Sequence, residues 1–153
     1  MNEIFASIYE FGGLIPFYST DLGDHLRGLD ITCSDYSGTP WYVTIGCIMT
    51  GVTVLAYLMM YHIIDSVHFN KKGSWWVLAL FIALLNFLLA SSITYNSVHY
   101  GEVCKSLHIS FGDLMGFGLS NAVVSFLLFV LITSVPWFRE RGINCRFTTF
   151  WRP

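Results

Sequence analysis

Charged side chains are missing from three long intervals of this chain, between Asp35 and Asp65, between Lys72 and Glu102, and between Asp113 and Arg139. Each interval exceeds the ~20 residues that a helix needs to cross a hydrocarbon core of ~30 Å. With 54% hydrophobic, 17% aromatic and only 12% charged residues in 153, the chain is too apolar to cover itself as a soluble domain. The expectation is an all-α integral membrane protein with three transmembrane helices, over Tyr42–Ile64, Trp75–Tyr95 and Leu114–Trp137, packed as an up-down-up bundle. Residues 1–40 then form an outer segment, 41–138 the transmembrane domain and 139–153 a tail.

The stretch VHFNKKGSWW, residues 67–76, fits the tip of a hairpin between the first two spans. Lys71 and Lys72 belong in the headgroup zone, and Trp75 and Trp76 mark where the second helix enters lipid. Cations are retained on the cytoplasmic side. The tip carries two of them and the tail carries Arg139, Arg141, Arg146 and Arg152, whereas the first forty residues have only Arg27 against six acids. The N-terminus is therefore expected outside and the C-terminus in the cytoplasm.

Residues 2–18 are apolar and aromatic but broken by Gly12, Gly13 and Pro16, too short to span and without the features of a signal peptide. Ile4, Phe5, Ile8 and Phe11 recur near helical spacing, which predicts a short helix lying in the interface or tucked against the bundle. Residues 19–40 read as an acidic, turn-rich extramembrane segment.

In lipid, helices associate through close backbone approach and interhelical hydrogen bonds, so small and polar residues mark contacts. The second span has a stripe of Ala79, Ala83, Asn86 and Ala90. The third has Gly112, Gly116 and Ser120, with Gly118, Asn121 and Ser125 beside them, and the first has Gly46, Thr50, Thr53, Tyr57 and Tyr61. Thr50, Thr53, Tyr57, Asn86, Gly116, Ser120, Asn121 and Ser125 are accordingly the candidates for helix packing, with Asn86 and Asn121 as hydrogen-bond partners, or for lining a water-filled path between assembled copies.

His62 and Asp65 lie three apart on one helical face near His68, and His99 and His108 flank Glu102 and Cys104 on the outer loop. A carboxylate that orients an imidazole can support metal or proton-relay chemistry, but the two groups belong to opposite surfaces. Asp113 sits where a helix dipole favours an acid and is expected to stabilise that N-terminus. Cys33 and Cys104 fall on one predicted side and are a possible disulfide.

The phosphate-loop, metalloprotease and nucleophile-elbow motifs are missing, as is a basic stripe for nucleic acid. The expectation is a non-enzymatic membrane protein without cofactor that acts by assembly, first as a homo-oligomeric pore or channel subunit. Its partners are then the bilayer and other copies of itself. The alternatives are a structural or accessory subunit of a larger membrane complex, and a haem- or metal-binding redox subunit using His62, Asp65, His99 or His108.

Overall fold

The computed structural model describes residues 2–9, 17–63, 72–101 and 103–134. Among these, the regular structure is entirely helical: α1 (Asn2–Tyr9), α2 (Thr20–Arg27), α3 (Trp41–Leu58, continued by a π-turn over Met59–Ile63), α4 (Lys72–Tyr100) and α5 (Phe111–Ser134). Three helices are long and apolar enough to cross a membrane, Trp41–Ile63, Gly73–Tyr100 and Phe111–Ser134. The tail, the 64–71 tip with Asp65 and His68, and the Gly12–Pro16 break lie outside the described residues.

Local chemistry sets the boundaries that differ from expectation. α5 starts at Phe111 because Ser110 and Asp113 cap it reciprocally. The Asp113 amide donates to Ser110 Oγ at 3.2 Å while the Ser110 amide donates to Asp113 Oδ2 at 2.9 Å. α4 continues past Tyr95 to Tyr100, since Ser97 faces inward and is covered by His25 of α2.

Helix α2 was not expected in the acidic segment, although its ends carry standard caps. Ser19 is the N-cap, its Oγ accepting from the Leu22 amide. At the other end Gly28 adopts φ +95°, with Leu29 N–H donating to the Asp24 carbonyl and Gly28 N–H to that of His25, a Schellman closure. Gly28 then meets Gly38, whose amide donates to the Gly28 carbonyl at 2.8 Å. A Cβ on Gly28 would stand 2.8 Å from the Gly38 oxygen, so both backbone freedom and close approach call for glycine here.

Two apolar clusters hold the bundle. The first joins Tyr9 of α1, Leu22 and Leu26 of α2, Tyr42 and Ile45 at the start of α3, Ala90 of α4, and Leu114 and Phe117 at the start of α5. Within it Tyr9 stacks on Tyr42 at 5.6 Å and packs on Phe117 at 5.2 Å. The second joins Tyr57, Met60 and Tyr61 at the end of α3, Trp75, Ala79 and Ile82 of α4, and Phe129 of α5. Trp75 is 3% exposed and packs on Phe129 while Trp76 is 41% exposed. Only the second indole is thus left exposed at the start of α4, the first being drawn in to close the core.

The inward side of α1 also differs from the expected stripe. Ala6 and Tyr9 are buried and Phe5 packs beside them, whereas Ile4 and Ile8 are exposed. Two partners explain the rotation: the Phe5 ring occupies the space where a side chain on Gly46 would stand, and Tyr9 finds a polar partner on α5.

Candidate functional site: a polar seam inside the bundle

The candidate residues on the spans turn toward the interior of one chain. Thr53 of α3, Asn86 of α4 and Asn121 of α5 are at most 1% exposed. Asn121 sits between two elements: its Nδ2 donates to the Asn86 backbone carbonyl at 2.9 Å, and its Oδ1 accepts from the Tyr9 hydroxyl at 2.6 Å. Asn86 Nδ2 in turn approaches Thr53 Oγ1 at 3.5 Å, a long contact at the limit of a hydrogen bond. Asn86 and Asn121 therefore meet side chain to backbone, which leaves Asn86 Oδ1 without a partner among the described residues.

The remaining hydroxyls bond largely to their own helices. Thr50 donates to Gly46 O, Thr53 to Met49 O, Ser120 to Gly116 O and Ser125 to Ala122 O, all within 3.2 Å. Such back-bonding pairs the hydroxyl hydrogen inside an apolar medium. Thr53, Tyr57, Ser120 and Ser125 are buried, and Thr50 is half-buried. Tyr57 stacks on Tyr61 at 4.8 Å. Gly116 lies under the backbone of Phe17, where any Cβ would overlap the Phe17 carbonyl oxygen, and Gly118 lies against Ser91 and the Phe87 carbonyl of α4. These two glycines allow the close approach that draws the N-terminal segment and α4 onto α5.

The seam continues along α4 through Ser91, Thr94 and Ser97, all buried, to His25 of α2. His25 Nε2 lies 3.2 Å from Ser97 Oγ, and the Ser97 hydroxyl donates to the Thr94 carbonyl at 2.8 Å. A hydroxyl has one proton. With that proton on Thr94 O, Ser97 Oγ accepts from the Nε2–H tautomer of His25, whose buried Nδ1 has no hydrogen-bond partner among the described residues. Tyr9, His25, Ser91, Thr94 and Ser97 were not singled out from the sequence. The 3-residue spacing of Ser91, Thr94 and Ser97 was the signal available, continuing the stripe already seen in Asn86 and Ala90.

Burial lowers the pKa of His25, because desolvation disfavours the imidazolium. The unfolded chain then takes up a proton near pH 6.5 that the folded chain refuses, so stability is complete above that pH and falls below it, by at most about 1.4 kcal/mol per pH unit. Melting of the purified protein at pH 7.5 and 5.5 is expected to show this acid loss, and His25→Gln to reduce it. An unchanged acid slope in the variant would exclude His25 as its source.

The other sequence candidates stand apart from the seam. Cys33 and Cys104 are disulfide-bonded, with Cα atoms 5.6 Å apart, tying the loop after α2 to the loop before α5. Asp113 accepts from the Ser19 amide at 2.9 Å and so also anchors α2. His62 packs edge-on against Tyr57, His99 stacks on Tyr95 at 4.1 Å, and the His108 amide donates to Asp21. Among the described residues no group of three or more His, Cys, Asp or Glu side chains is placed to hold a metal ion. No protein-family model, curated protein or solved structure matches this chain.

Proposed function

We propose that the chain is a non-enzymatic multi-pass membrane protein that acts by assembly, as a subunit docked on unlike membrane chains through its apolar outer faces. The observation that carries this reading is the inward engagement of Thr53, Asn86 and Asn121 within one chain. A pore between copies would need those groups facing outward. The outward faces instead present Leu55, Leu58, Val77, Leu80, Phe81, Leu84, Leu127 and Leu131. Between α3 and α4 runs an apolar groove of about 240 Å³, with Val52, Met59, Phe81 and Leu85 in its walls.

The spans run up-down-up in this reading, supported by the shared cluster of the start of α3, the later part of α4 and the start of α5. The N-terminus is outside and the C-terminus cytoplasmic, as the cation count indicates. α1 is inserted beside α3 and α5 rather than lying flat: Phe5 meets Gly46 while Tyr9 stacks on Tyr42, so α1 follows α3 in the reverse direction. Labelling of Thr20→Cys from the outside only and Thr148→Cys from the cytoplasm only is the expected topology result, and the reverse pattern would overturn the orientation.

A second reading, the homo-oligomeric pore, is favoured by one feature. Thr44, Cys47 and Gly51 form an outward strip on α3, and a Cβ on Gly51 would meet nothing within 4 Å among the described residues. Native mass spectrometry in mild detergent separates the two. Unlike chains bound to the 17.4 kDa subunit support docking, and a ring-like multiple of that mass supports the pore.

A further inference from the structure

The Cys33–Cys104 bond joins two sulfurs in opposite surroundings. Cys33 sits in the loop after α2, where residues 31–40 are all exposed, whereas Cys104 is 1% exposed. Cys33 also holds φ at +60°, the one positive value outside glycine among the described residues. That left-handed conformation is strained for an L residue other than Asn or Asp. The surrounding turn fixes it there: the Cys33 amide donates to the Asp30 carbonyl at 3.1 Å, and the Ser34 amide to the Asp30 carboxylate at 3.0 Å.

In thiol exchange a thiolate attacks one sulfur and the other leaves, so access decides the direction. Solvent reaches Cys33 and not Cys104. An external thiolate therefore attacks Cys33, and Cys104 departs. One hydroxyl is placed for the departing sulfur: Ser106 Oγ lies 2.9 Å from Cys104 Sγ and 3.5 Å from Cys33 Sγ. A bonded disulfide sulfur has no proton to give, so Ser106 is the donor, and its single proton goes to the nearer sulfur. That hydrogen bond strengthens as Cys104 gains negative charge, and a better stabilised thiolate leaves faster. Ser106 is itself exposed and fills no space in the core.

The opening is local. α2 keeps two other ties to the segment before α5, the Ser19 amide on Asp113 at 2.9 Å and the His108 amide on Asp21 at 3.0 Å. The loop beyond Gly28 is then left with the Gly28–Gly38 backbone bond and the Tyr36 hydroxyl on Asp24, and Cys33 is free to leave its strained φ.

We propose that this disulfide is a thiol-exchange site whose substrate is an external dithiol carrier, with Cys33 as the sulfur attacked, Cys104 as the leaving group and Ser106 as the donor to the departing thiolate. The carrier's thiolate bonds to Cys33 Sγ as the Cys33–Cys104 bond breaks, and Cys104 leaves with the electron pair and takes a proton from water. The carrier's second thiolate then attacks the carrier's own sulfur in the mixed disulfide and releases Cys33. The carrier is thereby oxidised to a disulfide and the protein reduced to two thiols. Asp30 and Asp35 flank Cys33 with no Lys or Arg in residues 28–40, so a cationic carrier is favoured over an anionic one.

The test uses the full-length folded protein in phosphatidylcholine discs, treated with cysteamine, quenched early with iodoacetamide and mapped by peptide mass spectrometry. The first product is expected to carry cysteamine on Cys33 and the alkyl group on Cys104. Ser106→Ala should slow this step about three- to tenfold, and Ser106→Thr should keep the wild-type rate. Cysteamine should outpace mercaptopropionate per thiolate at low salt, by a margin that shrinks at high salt. Cysteamine on Cys104, an even split between the two sulfurs, equal rates for wild type and Ser106→Ala, a salt-independent margin, or exchange only after the bundle unfolds would each overturn the proposal.

Discussion

A Cys33→Ser variant is expected to lose about 2–4 kcal/mol of stability, the largest single effect among these substitutions. The bond joins residues separated by 71 positions, and in the chain-entropy picture a closed loop of that size contributes about 4 kcal/mol. The lower part of the range applies because α3 and α4 lie within the loop and stay confined by the bilayer even when the outer segment comes loose. The structural consequence should be local. Residues 29–39 are almost all exposed and rest on the Gly28–Gly38 contact and the disulfide, so limited proteolysis should cut there first, in the variant and in reduced wild type alike. Denaturation in mixed micelles measures the energy. Equal midpoints for wild type, variant and reduced protein would show that the α2 end is held by its packing alone.

Replacing Asn121 by leucine, which keeps the branched outline but has bulkier ends, is expected to cost about 2 kcal/mol. Two interhelical bonds disappear, to Tyr9 and to the Asn86 carbonyl. Interhelical polar contacts average about 0.6 kcal/mol and reach about 1.7, and the Tyr9 hydroxyl is left buried without its acceptor, a penalty of about 1–3 kcal/mol. Tyr9→Phe removes the same hydroxyl from the other side. The pair should therefore be less than additive, with a coupling of about 1 kcal/mol in a double-mutant cycle. The sign separates the two roles considered for Asn121. A side chain facing an aqueous path has no partner to abandon, so its replacement by leucine would leave stability unchanged or raise it.

The three spans are legible in the sequence because lipid imposes a single strong condition, a long interval without charge, and Trp41–Ile63, Gly73–Tyr100 and Phe111–Ser134 meet it. The role of Asp113 is legible too, since a cap depends on neighbours three residues away. Helix α2 is legible only through its caps: Ser19 and Gly28 announce it, but its acidic composition resembles a loop and its buried Leu22 and Leu26 make too short a stripe. The seam is half legible. Asn86, Ala90 and Asn121 are buried as their helical spacing implies, while Ala83 is only partly covered. What no local pattern can supply is the pairing of Tyr9 with Asn121, 112 residues away, or of His25 with Ser97, 72 residues away. Those contacts depend on α1 and α2 folding back onto the spans, and the sequence near either partner carries no trace of the other.

The inward seam is tested most directly by thiol accessibility at Thr53→Cys, Asn86→Cys and Asn121→Cys, with Cys47 and Cys145 replaced by serine and Thr20→Cys as the exposed control. A charged, membrane-impermeant reagent should modify the control within minutes when applied from the outside, and should leave all three seam positions untouched when applied from either side of the assembled protein. Modification of Thr53→Cys or Asn86→Cys at a rate near that of the control would contradict an inward seam and show that these residues line an aqueous path.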